Sequence, residues 1–112
     1  MKQISILGCG WLGLPLAKSL IEKGSLIKGS TTSVEKIPIL ENYGILPFHV
    51  TLSAVERLVG EKEIPLFLEN SEILIINIPP KLRENSKEDF VQKIQNLIPF
   101  IEKATVKLIA AN

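Results

Sequence analysis

Three glycines spaced G-x-G-x-x-G, in Gly8-Cys9-Gly10-Trp11-Leu12-Gly13, constrain this chain more than any other feature. They follow Ile4, Ile6 and Leu7, which read as a short buried strand. They precede Leu16, Ala17, Leu20 and Ile21, which sit at helical spacing. A glycine turn between a strand and a helix suits a dinucleotide. Gly8 permits a tight turn, Gly10 lets a pyrophosphate approach backbone that carries no Cβ, and Gly13 lets the helix lie close to the sheet. The first N–H groups of the helix then offer a partial positive charge to the diphosphate. Pro15 falls in the first turn, where a missing N–H costs little, and Lys23-Gly24 closes the helix. A purely structural turn would use the same glycines, but the position and both flanks favour the dinucleotide.

Composition narrows the alternatives. A chain of 112 residues is expected to form one domain, residues 1–112, with a real core but short for a complete dinucleotide-dependent enzyme. Its 13 basic and 12 acidic side chains leave a net charge of +1, so nucleic acid is not an expected partner. The apolar run Ile73 to Ile76 is far too short to cross a bilayer, and Lys2 leads straight into a strand rather than a signal peptide. No membrane partner is expected. A single cysteine excludes an internal disulfide and suits the cytoplasm. Cys9 has no His or acid near it in sequence and reads as a small filler; no metal ligand set is expected.

Residues 25–30 read as a second strand, followed by the polar run Ser30-Thr31-Thr32-Ser33. An NAD-preferring fold places an acid here for the ribose 2′-hydroxyl, yet the first acid beyond the strand is Glu35. These hydroxyl residues, with Lys28 and Lys36 nearby, suit a 2′-phosphate, so NADP is favoured, with NAD as the alternative; a solvated loop is the plain reading. Residues 34–43 suggest a short helix interrupted by Pro38 and stopped at Gly44. Residues 46–50 suggest a third strand at an edge because of Pro47. His49 on that strand reads as structural or solvent-facing. Residues 53–59 suggest a short helix, residues 61–63 a solvated loop, and 64–68 a helical turn with Pro65 at its start. Residues 71–78 are the strongest strand signal, a run suited to burial on both faces and stopped by Pro79-Pro80. Asn77 reads as a core amide satisfied by backbone, near the end where ligands bind. After a loop with Lys81 and Arg83, Ser86 and Asp89 suggest a capping box. The helix behind it shows one face of Phe90, Ile94, Leu97 and Ile101, with Val91 and Ile98 beside it, and Pro99 should bend or split it. Residues 106–111 suggest a fifth strand.

Strands alternating with helices predict an α/β fold: a doubly wound parallel sheet of five strands in the order 3-2-1-4-5, with the diphosphate beside the first and fourth. The expected cofactor contacts are Gly8, Gly10, Trp11, Leu12 and Gly13 in the turn, Ser30, Thr31, Thr32 and Lys36 after the second strand, and Ile78 and Pro79 after the fourth.

Residues 6–17, the turn Gly29-Ser30-Thr31-Thr32 and residues 75–80 resemble the NAD(P)-binding, Rossmann-type half of extended short-chain dehydrogenase/reductases, most nearly the atypical NAD-dependent epimerase/dehydratase group that acts on nucleotide sugars. The glycine turn and the proline after it also resemble 6-phosphogluconate and 3-hydroxyisobutyrate dehydrogenases. The resemblance to the epimerase group implies an oxidoreductase or epimerase whose acid/base tyrosine lies in Tyr-x-x-x-Lys beyond the fifth strand. Here the only tyrosine is Tyr43, and Pro47 stands four residues on, so no catalytic residue carries over. The expectation is a cofactor-binding domain without its catalytic half, inactive alone. The rivals are a non-catalytic nucleotide-binding or protein-interaction module, and a small enzyme completed by another subunit. An uncovered fifth-strand edge further suggests a homo-oligomer.

Overall fold

The computed structural model describes residues 2–9, 13–50, 62–77 and 86–111. The expected helix at 53–59, turn residues 10–12 and the loop 79–85 lie outside them, as do the side chains of Ser86, Asp89, Phe90 and Val91. Strand β1 (Gln3–Leu7) leads to helix α1 (Gly13–Glu22), and β2 (Leu26–Thr31) is followed by a 3-10 turn at Val34–Lys36 and α2 (Ile37–Asn42). Then come β3 (Leu46–His49), α3 (Ile64–Leu68), β4 (Ile73–Ile76), α4 (Ser86–Glu102) and β5 (Leu108–Ala111). Four parallel strands form the body of the sheet in the order β3-β2-β1-β4, with β5 hydrogen-bonded in parallel alongside β4.

The alternation of side chains along β1 divides the core. Ile4 and Ile6 face α1 and α2, packing with Ala17, Ile27, Leu40 and Ile45. Leu7 faces the other way, into a cluster with Phe67, Leu68, Leu74, Ile76 and Leu97. Each such side chain, when fully buried, contributes roughly 1.5–3 kcal/mol. β4 lies inside the sheet: Leu74 and Ile76 are buried in the second cluster, while Ile73 and Ile75, half-buried, lean on the first, so the expected burial on both faces is complete on one face only.

Several element boundaries differ from expectation for identifiable reasons. Strand β2 continues to Thr31, because the Thr31 carbonyl accepts from Val50 N–H and extends the ladder. Pro38 starts α2 rather than interrupting it, since its missing N–H falls in the helix's first turn. Pro99 does not split α4, which runs as one helix through it. Ile98 is exposed rather than packed beside Leu97.

The short helix α3 is held by the sheet. Gln3 Nε2 donates to the Glu69 carbonyl (2.7 Å), Ser5 Oγ to the Phe67 carbonyl (2.6 Å), and Lys28 Nζ to the carbonyls of Leu66 (2.6 Å) and Glu69 (3.0 Å). Ser71 lies within hydrogen-bond distance of the Ser5 hydroxyl. Three strand side chains thus satisfy the carbonyls that the end of a helix leaves unpaired.

Along the β3 edge, Val50 N–H points inward to Thr31, so His49 N–H points outward, where Glu63 Oε2 accepts it at 3.2 Å. Two residues earlier Pro47 has no N–H, and two before that Ile45 N–H donates to the Leu40 carbonyl.

Gly29 sits where β2 meets the α1 face. A Cβ there would lie 2.8 Å from Ile45 Cγ2 and 3.0 Å from Cys9 Sγ, closer than side chains approach. Gly29→Ala should therefore lower stability by about 1–3 kcal/mol in urea unfolding, through overpacking; an unchanged midpoint would mean that Ile45 can move aside at no cost.

Candidate functional site

Strand β1 ends at Leu7, and Gly8 takes φ +90°, a conformation that side chains strain. Both peptide groups flanking its Cα are tied to neighbouring strands. Gly8 N–H donates to Ser30 Oγ (2.8 Å), and Cys9 N–H donates to the Ser30 carbonyl (2.7 Å). The Gly8 carbonyl accepts from Asn77 Nδ2 (3.3 Å), while Asn77 N–H extends the ladder to the Leu7 carbonyl (2.8 Å).

Helix α1 begins against this carbonyl. A Cβ on Gly13 would lie 2.8 Å from the Gly8 oxygen and 3.3 Å from Asn77 Nδ2. Only glycine lets the helix start there without moving backbone, which is the close helix–sheet packing that the spacing predicts. The site lies at the carboxyl ends of the strands, where β2 departs to one side of β1 and β4 to the other, the crevice in which open α/β sheets take ligands.

The second-strand residues divide into buried and exposed. Ser30 and Thr31 are buried. Thr31 Oγ1 accepts from Ser33 N–H (3.1 Å), forming a local turn that needs no ligand. Thr32 and Lys36 are exposed. His49 Nε2 donates to the Thr32 carbonyl at 3.3 Å, so its ring braces this turn. Lys28 does not belong here. Its ammonium reaches the amino end of the sheet, where it caps α3 and lies 5.8 Å from the Phe48 ring centroid. Burial pushes that ammonium's pKa down, with the Glu69 carboxylate opposing. Gly10, Trp11, Leu12, Ile78 and Pro79 lie outside the described residues.

In the part of the turn that is described, the first glycine takes a positive φ and the third is packed against the Gly8 carbonyl. The signal most easily missed in sequence was the link between Ser30 and Gly8, which are 22 residues apart and meet only through parallel pairing. Tyr43, exposed and just before β3, sits at the opposite end of the sheet. A cleft of about 440 Å³ between α3 and α4, lined by Leu66, Glu69, Phe100 and Lys103 among others, is at that far end too. Among the described residues there is no group of His, Cys, Asp and Glu that could hold a metal, and no helix is long and apolar enough to cross a membrane.

No known protein-family profile matches the chain. It is 30% identical over 98 residues to Protein YeeZ of Escherichia coli (strain K12), an alignment covering 88% of this chain and 35% of that protein. The chain thus spans about a third of the length of the curated relative it matches. Among solved structures, vestitone reductase from alfalfa superposes with a TM-score of 0.74 at 18% identity, covering 99% of this chain and 36% of that one. Prephenate dehydrogenase from A. aeolicus, solved with hydroxyphenyl propionate and NAD+, gives 0.62 at 19% identity, covering 99% and 34%. These likenesses establish a Rossmann-type fold.

Cys9 is buried at the base of the turn, and burial pushes its thiol up to about 11. The thiol form is unreactive at neutral pH. Alkylation of Cys9 in the native protein at pH 7 should be at least about tenfold slower than in urea; equal rates would show that the turn is open to solvent.

Proposed function

We propose that this chain is the nicotinamide-dinucleotide-binding portion of an oxidoreductase of the short-chain reductase/epimerase type. The observation that carries the reading is the glycine turn at the sheet's crevice, with α1 begun directly on the Gly8 carbonyl. The better superposition on vestitone reductase than on prephenate dehydrogenase supports the short-chain type over other dehydrogenases.

On this reading residues 1–112 act as one cofactor domain. Gly8, Gly10, Trp11, Leu12 and Gly13 form the pyrophosphate cradle, and the first N–H groups of α1 face the diphosphate. Ile78 and Pro79 border the cofactor beyond β4. Thr32 and Lys36, both exposed and following the buried Ser30 and Thr31, form the adenosine ribose side, where NADP is preferred because no carboxylate follows β2 directly and Lys36 is exposed. The bound cofactor would supply or accept a hydride; this chain's residues bind and orient it. A proton donor for the substrate carbonyl would come from another portion of the protein or from a partner subunit, since Tyr43 lies at the far end of the sheet and His49 is engaged with Thr32. A cytoplasmic setting and self-association along the β5 edge accompany the proposal.

Replacing Gly10 by valine places a branched side chain where the pyrophosphate approaches. Calorimetry on the folded variant should show binding weakened by on the order of a few kcal/mol. Affinity equal to that of the unaltered chain would refute the cradle.

NADPH should bind more tightly than NADH at low salt. The advantage should shrink as ionic strength rises, because the Debye length falls from about 10 Å at 0.1 M to about 3 Å at 1 M and screens Lys36 from the 2′-phosphate. A preference for NADH at low salt would reverse the assignment.

A further inference from the structure

We infer that Ser30 and Asn77 are positioning residues for the cofactor turn, and that the Ser30 hydroxyl acts on the dinucleotide only through Gly8. The inference rests on the glycine-turn reading above and replaces a direct 2′-side role for Ser30 with an indirect one.

The geometry is specific. A glycine at φ +90° has no side chain to hold it there, and its freedom is the reason such a turn can relax into other shapes. Two torsions set the direction in which the chain leaves β1, and each is governed by one flanking peptide plane. The plane before Gly8 is anchored through its N–H to Ser30 Oγ. The plane after it is anchored at both ends, with Cys9 N–H on the Ser30 carbonyl and the Gly8 oxygen on Asn77 Nδ2. Residues from β2 and β4, on opposite sides of β1, thereby fix both torsions. The Ser30 side chain is 1% exposed, so it has no surface to present to a ribose phosphate. Asn77 has a second task. Its amide nitrogen stands 3.3 Å from where a Gly13 Cβ would be, so it also limits how α1 can shift over the turn.

What these residues hold in place is common to both nicotinamide dinucleotides, since the pyrophosphate is the same in each. Loss of either anchor should therefore weaken NADPH and NADH by the same factor. A residue that reads the 2′-phosphate, such as Lys36 in the proposal, should change their ratio instead.

The test measures NADPH and NADH dissociation constants for the unaltered chain, Ser30→Ala, Ser30→Thr, Asn77→Ala and Lys36→Ala. Amide exchange at Gly8 and Cys9 is followed by NMR without cofactor. Removing the acceptor leaves a part-buried N–H unpaired, so Ser30→Ala should weaken both cofactors about tenfold with their ratio unchanged. Gly8 amide exchange should speed up while the strand amides stay protected. Ser30→Thr retains the hydroxyl and should recover most of the affinity, and Asn77→Ala should repeat the equal loss. If Ser30→Ala fails to fold, Asn77→Ala and Ser30→Thr decide. Selective loss of NADPH in Ser30→Ala would overturn the inference, as would unchanged affinities with only a lower melting temperature. Failure of the unaltered chain to bind either dinucleotide would overturn the glycine-turn reading and this inference with it. Binding that Gly10→Val abolishes but Ser30→Ala and Asn77→Ala leave intact would overturn this inference alone.

Discussion

The carbonyl of Gly8 is the point on which this structure turns. Helix α1 starts so close to it that a single methyl group on Gly13 would collide with it. The rest follows from that proximity. With the helix pressed onto the end of β1, Ala17 reaches the sheet and the layer of Ile4, Ile6 and Ile27 closes over a short distance. Gly29 contributes to the same compactness from β2, leaving room for Cys9 and Ile45 where any side chain would wedge the layer apart. Helix and sheet approach because the bulk was removed at the places where they meet, and the glycines of β2 and α1 belong to one packing solution.

Polar groups are distributed between the two ends of the sheet in a way that separates holding from presenting. At the amino end, Gln3, Ser5 and Lys28 are all directed at the carbonyls of α3. Five residues make a helix too short to stand unaided, and these donors supply what its length does not. Lys28 is thereby removed from any role at the carboxyl end, and Lys36, exposed in the 3-10 turn after β2, is the lysine on which the proposal relies there. The selectivity proposed for the 2′ position consequently depends on a lysine outside the sheet, on a side chain with room to adjust.

Much of this was legible from residue order. The glycine spacing marked the strand–helix junction, and the apolar run before Asn77 marked a strand inside the sheet, although only its Leu74 and Ile76 face is fully buried and Ile73 and Ile75 are half-buried. What could not be read was direction. Lys28 and Ser30 are two residues apart on one face of β2, and sequence places both near the polar loop. One reaches down to α3 and the other up to Gly8, because a four-carbon stem and a hydroxymethyl group have different reach. Prolines misled in the opposite sense. Pro38 looked like an interruption because its helix began later than the hydrophobic pattern suggested, and within a first turn it is well tolerated. The core amide expected at Asn77 is indeed met by backbone, though the carbonyl it meets is that of the turn itself.

Among the described residues, the outer edge of β3 is closed to a further strand. Strand addition requires an edge that donates as well as accepts, in alternation along its length. On β3 the outward donors are used up in sequence: Ile45 is turned back to α2, Pro47 has none to give, and His49 is covered by a carboxylate from the residue before α3. An incoming strand would find acceptors there without matching donors, and a negative charge standing in its path. Among the described residues, β3 thus has no free outward donor to offer a further strand.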